Sequence, residues 1–189
     1  MRNLFRAAIV LVGVLAVALL LIGVTSKLYR IPSSAMEPTL HCPRGSQIPG
    51  CRGDEPDRIL VSKVLYKVRD PERGDIVAYE LPAAGAARCG SPEGSTFVHR
   101  IVGLPGERVA LRGGRVLVNG RPLEEDYLED GRRGQDTLRA RVIPDDRYLV
   151  LGDNRTQSCD SRIWGFVPRS RIIGPKIATY WPEDRISFR

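Results

Sequence analysis

The chain has 189 residues, enough for one compact domain or for two small lobes that share a core. It carries 29 Lys and Arg against 22 Asp and Glu, a net charge of +7, but the basic residues form no run and are not interleaved with aromatic residues. Nucleic-acid binding is therefore not expected. The 19 glycines and 14 prolines favour a turn-rich β protein over a helical one.

An apolar segment lies near the start of the sequence. Residues 7–24 contain no charged side chain, and a run of about 18 apolar residues is at the short end of what spans a bilayer. Arg2 and Arg6 precede it, and cationic flanks stay on the cytoplasmic side. The sequence predicts a cytoplasmic N-terminus at 1–6, a single-pass anchor in the plasma membrane at 7–24, and an extracytoplasmic domain at 25–189. A cleaved signal peptide is the alternative, disfavoured because no clear Ala-x-Ala site precedes Leu28.

The predicted extracytoplasmic location favours disulfides for the four cysteines, because proteins outside the cytoplasm form them. Cys42 and Cys51 bracket a short loop rich in Pro and Gly, which a disulfide closes easily, and Cys89 and Cys159 remain as a second pair. Four cysteines allow three connectivities, and sequence alone does not choose among them. A metal site built from His41, Cys42 and Cys51 is the competing interpretation, but it lacks a CxxC pair and a fourth ligand. No metal and no cofactor is expected.

The remaining elements are predicted to be short strands separated by turns. They are rich in β-branched and other apolar residues and lie at 58–66, 75–79, 97–102, 109–112, 115–118, 148–151 and 177–181. Gly113 and Gly114 form a two-residue hairpin signal between two of them. Residues 25–30 are expected to be a linker and residues 122–141 a surface excursion. With no long amphipathic helix beyond the anchor, the predicted fold is all-β.

Four sequence blocks resemble those of bacterial type I signal peptidases and cover nearly the whole chain, looking most like actinobacterial members. They read IPSSAMEPTL at 31–40, RILVSK at 58–63 with RGDIV at 73–77, HRIVGLPG at 99–106, and GDNRTQSCDSR at 152–162 with WGFVP at 164–168. The resemblance implies the signal-peptidase/LexA-like complex antiparallel β fold with one N-terminal transmembrane helix. It also implies signal peptides of secreted preproteins as partners, together with membrane lipid, and their removal as the family role.

The resemblance also assigns site residues, because the family uses a serine nucleophile activated by a neutral lysine. Such a lysine needs a pKa lowered by burial, and the reaction needs donors aimed at the oxyanion. Matching positions assign roles as follows: the oxyanion hole to Ser33, orientation of the base to Ser158, a supporting ion pair to Asp160 and Arg162, and walls of the substrate pocket to Ile31, Pro32 and Val98.

Two positions depart from the family pattern. Ala35 stands where the nucleophilic serine belongs, and His99 stands where the lysine general base belongs. In an extended backbone Ser34 would face away from Ala35, and Ser33 would lie about 6–7 Å along the strand, so neither is expected to replace the nucleophile. His99, with an unperturbed pKa of about 6.5, fits either a working base or a packed histidine.

The sequence therefore predicts a signal-peptidase-fold protein that binds signal peptides and does not cleave them. Two alternatives stay open, namely a serine endopeptidase that uses another serine with His99, and a membrane-tethered scaffold without a peptidase role. Ala35 itself fits an engineered block, a natural non-catalytic relative or a rearranged active site. Intact support residues favour a recent or deliberate loss, whereas the paired change at His99 favours an older one.

Overall fold

The structure is a computed structural model that describes residues 6, 9, 11–14, 20 and 22–188. Most of the predicted anchor at 7–24 lies outside these residues, although residues 11–14 and 22–25 are helical. Within the described part of the chain, no helix has both the length and the apolar character that a membrane crossing requires.

The described chain consists mainly of antiparallel strands. The strands are β1 (Ser26–Arg30), β2 (Arg58–Ser62), β3 (Ile76–Glu80), β4 (Thr96–Gly103), β5 (Arg108–Arg112), β6 (Arg115–Val118), β7 (Arg121–Pro122), β8 (Leu138–Val142), β9 (Arg147–Leu151), β10 (Val167–Pro168), β11 (Ile172–Trp181) and β12 (Ser187–Phe188). After residue 25, the α-helices are α1 (Ala83–Cys89) and α2 (Ser161–Trp164). The predicted β class is confirmed.

The larger sheet has the strand order β1-β2-β11-β3-β4-β9-β10, and β12 pairs with β11. β11 connects its two halves, because its first residues pair with β3 and its last with β2. Gly174 makes this possible, since a Cβ at that position would lie 1.7 Å from the carbonyl oxygen of Ser62. A residue with a side chain would therefore push β11 away from β2.

The smaller sheet has the strand order β7-β6-β5-β8 and packs over an apolar cluster that also includes Val102, Leu149 and Leu151 of the larger sheet. The predicted hairpin is confirmed, with Arg112 opposite Arg115 across the two glycines. In β5 the apolar residues Val109 and Leu111 alternate with outward polar or small positions and are fully buried. A second cluster lies between β3, β4 and β9, and a third lies beneath β2 and residues 31–40.

Two segments predicted to be irregular contain strands. Residues 25–30, expected to be a linker, contain β1, which pairs with β2 so that Leu28 lies opposite Leu60. This pairing satisfies backbone groups of β2 that would otherwise form an open sheet edge. The excursion at 122–141 includes the start of β8, and Leu138 packs against the small-sheet cluster. Neither segment has the alternation of apolar and polar residues that predicts a strand, so each is identified as a strand only from its pairing with a neighbour.

Other boundaries also differ from the prediction. The strand expected at 58–66 ends at Ser62, where the chain turns into a 3-10 helix at Leu65–Lys67. The strand expected at 177–181 begins earlier, at Ile172. Helix α1 was not predicted, since an alanine-rich segment of seven residues is too short to show a helical period. It ends at Gly90, whose φ of 64° is the left-handed conformation that glycine adopts readily.

Disulfides join Cys42 to Cys51 and Cys89 to Cys159, the two pairs that the sequence analysis favoured. The alternative metal site with His41 is wrong, because the sulfurs of Cys42 and Cys51 are bonded to each other and offer no thiolate. His41 instead contacts a buried carboxylate, with Nδ1 2.7 Å from Oε2 of Glu37.

Candidate active site

A cleft of about 400 Å³ lies beside the first half of β4. This half pairs with β3 on one side, while pairing with β9 begins only at Arg100. The free side of the strand therefore faces the cleft. The remaining wall comes from residues 29–36, Ile48, Gln157 and the Cys89–Cys159 disulfide. Ile31, Pro32 and Val98, the predicted pocket walls, all line this cleft, as do Ser33, Ala35 and His99.

The segment that carries Ala35 is not extended. Ser34–Met36 form a 3-10 helix, so the expected alternation of Ser33 and Ser34 about Ala35 is wrong. Met36, at the end of the turn, is buried in the apolar cluster beneath the cleft. Ser33 is exposed, whereas Ser34 is buried and donates a hydrogen bond from Oγ to Oε1 of Gln157 at 3.1 Å.

The backbone of this turn is held by Asn154, which sequence reasoning missed. Its backbone N–H donates to the carbonyl oxygen of Ala35 at 2.9 Å, and its side-chain Nδ2 donates to the carbonyl oxygen of Ser34 at 3.0 Å. Gly152 lies beside the same carbonyl, where a Cβ would be 2.5 Å from the oxygen of Ala35 and 2.3 Å from Oγ of Ser158. Glycine at 152 therefore allows Ala35 and Ser158 to approach each other.

His99 is buried at the inner end of the cleft, with 1% of its surface exposed. Its Nε2 lies 3.1 Å from Oγ of Ser158, the residue predicted to orient the base. Its Nδ1 lies 2.7 Å from Oη of Tyr79 on the neighbouring strand β3. Tyr79 was not singled out from the sequence, because an aromatic residue in a buried strand is usually a packing residue.

Burial lowers the pKa of His99 to about 4, from an ordinary value of 6.5. The carboxylates of Asp160 and Asp153 act in the opposite direction, and the guanidinium of Arg162 adds to the lowering. His99 is therefore neutral at pH 7. The ordinary value belongs to a solvated imidazole, whereas His99 is buried.

Asp160 and Arg162 lie together directly behind Ser158. Nε of Arg162 donates to Oδ1 of Asp160 at 2.8 Å, and the backbone N–H of Gly152 donates to Oδ2 at 3.0 Å. Burial alone would raise the pKa of the Asp160 carboxyl, but the hydrogen bonds and charge of Arg162 outweigh burial and hold that pKa below its usual value. Arg162 also donates to the carbonyl oxygen of Ser158 at 3.2 Å, which fixes the loop.

The arrangement is a cleft with a hydrogen-bonded histidine and serine at its end and a methyl group at position 35. An alanine methyl has no lone pair and cannot attack a carbonyl. The fold and the cleft define an antiparallel β protein with a cleft that runs along the unpaired side of one strand.

A model of the family described as "Signal peptidase, peptidase S26" matches residues 3–181. Signal peptidase I of Leptolyngbya laminosa is 40% identical over 156 residues, which cover 82% of this chain and 69% of that protein. Probable signal peptidase I-2 of a Synechocystis strain is 40% identical over 158 residues, which cover 84% of this chain and 64% of that protein. The chain belongs to the signal peptidase family, peptidase S26.

A more distant relative agrees with this assignment. Signal peptidase I of Mycobacterium tuberculosis is 30% identical in an alignment that covers 97% of this chain and 75% of that protein. The resemblance to actinobacterial members in particular is not confirmed, since the two cyanobacterial proteins have the higher identity. A crystal structure of a signal peptidase I from Enterococcus faecalis V583 shares 31% identity, covers 57% of this chain and 97% of that one, and has a TM-score of 0.46.

Proposed function

We propose that this chain binds signal peptides of secreted preproteins in its cleft and does not cleave them. The observation that carries the proposal is Ala35, which lines the cleft at the position where the family pattern has its nucleophilic serine. His99 occupies the general-base position, so both members of the family's Ser/Lys pair are replaced. Loss of the nucleophile in a serine protease reduces turnover on the order of a million-fold.

No other serine takes the place of the missing hydroxyl in this proposal. Ser34 is buried, and its hydroxyl is already donated to Gln157. Ser33 lines the cleft and is exposed, but the two ring nitrogens of His99 contact Tyr79 and Ser158 instead. Ser158 is within hydrogen-bond distance of His99, but it fills the place of the serine that orients the base in the family. An enzyme that uses one of these serines with His99 is therefore the less supported alternative.

Peptide binding, in contrast, is supported by what the chain retains. Ile31, Pro32 and Val98 form apolar walls of the cleft, and the unpaired side of β4 borders the same cleft. An extended peptide binds such an edge through main-chain hydrogen bonds, and side-chain pockets then select its residues. The cleft is suited to small apolar side chains, as in a signal peptide that ends in Ala-x-Ala.

We further propose a membrane anchor at 7–24 with a cytoplasmic N-terminus at 1–6 and the β domain at 25–189 outside the plasma membrane. The support is the apolar run itself, the preceding Arg2 and Arg6, and two disulfides, which persist outside the cytoplasm. Protease added to intact spheroplasts should degrade the β domain. Full protection would show that the orientation is wrong.

The proposal is tested on the full chain in detergent with a preprotein whose signal ends in Ala-x-Ala. We expect saturable binding without cleavage, and no binding of a control signal with both alanines replaced by aspartate. Ala35→Ser combined with His99→Lys rebuilds the Ser/Lys pair and should cleave. Ala35→Ser alone should do far less, and His99→Lys alone, with an amine but no nucleophile, is the matched control and should be inactive.

The outcomes separate the alternatives. Cleavage by the unaltered chain that is abolished by Ser33→Ala, Ser34→Ala or Ser158→Ala would identify an active enzyme. Absence of binding by a folded chain would favour a membrane-tethered scaffold. A folded double variant that binds but does not cleave would mean that more than the Ser/Lys pair has been lost.

A further inference from the structure

The hydrogen bonds on the two sides of His99 have a direction that its neighbours determine. Tyr79 is fully buried, and within the described chain His99 is the one hydrogen-bond partner of its hydroxyl. Burial and the charge of Asp160 raise the pKa of Tyr79 well above its ordinary value, so the hydroxyl keeps its proton. That proton needs an acceptor, because a buried hydroxyl without one is costly.

The acceptor within reach is Nδ1 of His99, at 2.7 Å. If Nδ1 instead carried the proton and donated to Tyr79, the tyrosine proton would have no partner among the described residues. A neutral imidazole whose Nδ1 accepts a hydrogen bond carries its proton on Nε2. Nε2–H then donates to Oγ of Ser158 at 3.1 Å.

We propose that Tyr79 is a positioning residue that holds His99 as the Nε2–H tautomer, so that the histidine acts as a hydrogen-bond donor and not as a base. Nδ1 is occupied by the tyrosine proton, and Nε2 has no free lone pair to take a proton from a hydroxyl in the cleft. His99, at the general-base position, therefore acts as a fixed hydrogen-bond donor to Ser158. The inference concerns the same cleft as the proposed function and gives a physical reason for the low activity expected of Ala35→Ser alone.

The test needs neither a peptide nor cleavage, so its failure is distinct from a failure of the proposed function. The full chain is labelled with ¹⁵N-histidine and measured by NMR in detergent micelles at pH 7. The sequence contains two histidines, and His41→Gln assigns the signals of His99. We expect the Nδ1 resonance of His99 to be that of an unprotonated nitrogen and the Nε2 resonance that of a protonated one. The reverse pattern in the unaltered chain would overturn the proposal.

Three variants show which neighbour sets the tautomer. Tyr79→Phe should raise the minor Nδ1–H population about tenfold or more and move the two ¹⁵N resonances of His99 towards each other. Tyr148→Phe, the matched control in the same buried cluster, should leave them unchanged. Ser158→Ala should also preserve an unprotonated Nδ1, because the tyrosine remains. Resonances that respond to Ser158→Ala and not to Tyr79→Phe would show that the serine, and not Tyr79, sets the tautomer. If Tyr79→Phe does not fold, the unaltered chain and Ser158→Ala decide between these outcomes.

Discussion

The buried histidine should make the folded chain sensitive to mild acid. His99 is 1% exposed, and burial lowers its pKa to about 4 from an ordinary value of 6.5. Between these two pH values the unfolded chain binds one proton more than the folded chain at this site. The stability that depends on neutral His99 is therefore fully present above pH 6.5, and it is lost progressively as the pH falls towards 4.

The magnitude follows from the two pKa values. At pH 5 an unfolded histidine is almost fully protonated, whereas His99 in the folded chain is largely neutral. The difference of about 1.5 pH units below the ordinary pKa corresponds to about 2 kcal/mol, which for a chain of this size is a fall in Tm of about 4–8 °C. Asp160 and Asp75, whose pKa values are held below the ordinary one, contribute to acid sensitivity only at lower pH.

The assay is the Tm of the full chain in detergent at pH 7 and at pH 5, compared with His99→Gln. The variant lowers stability at both pH values, but it should remove most of the difference between them, because glutamine does not titrate. His41→Gln is the matched control and should keep the contribution of His99. An equal pH dependence in the unaltered chain and in His99→Gln would refute the reasoning, since it would show that His99 is protonated equally in both states.

Two further predictions concern packing around the cleft. Gly152→Ala should lower stability by roughly 1–3 kcal/mol, because the new Cβ would meet Ser158 Oγ at 2.3 Å and the carbonyl oxygen of Ala35 at 2.5 Å. A Tm of this variant within 1 °C of that of the unaltered chain would contradict the prediction. Replacing the Cys89–Cys159 disulfide, which has a sequence separation of 70, by alanines should cost about 4 kcal/mol, against about 3 kcal/mol for Cys42–Cys51 with a separation of 9. The two paired variants are compared by Tm, and a larger loss for the shorter loop would be inconsistent with loop-closure entropy.

The strands that were predicted correctly and those that were missed differ in how local their signal is. The hairpin around Gly113 and Gly114 is encoded by neighbouring residues, namely a flexible turn between two alternating apolar runs. β1 and the start of β8 have no such pattern, and they form because β2 and β5 offer backbone partners far away in the sequence. A local pattern cannot reveal a partner strand, so these segments were predicted to be a linker and a surface excursion.

Some features of the candidate site likewise depend on the sequence alone, and others depend on the tertiary structure. By itself the sequence determined the order of the blocks, the presence of alanine at 35 and histidine at 99, and the family to which the blocks point, because these depend only on residue identity and spacing. The tertiary structure alone decided that the Ala35 segment is a 3-10 turn, that Asn154 and Gly152 hold it, and that Tyr79 faces His99. Hydrogen-bond direction and pKa depend on burial and on atoms brought together from distant strands, and those distances exist only in the folded chain.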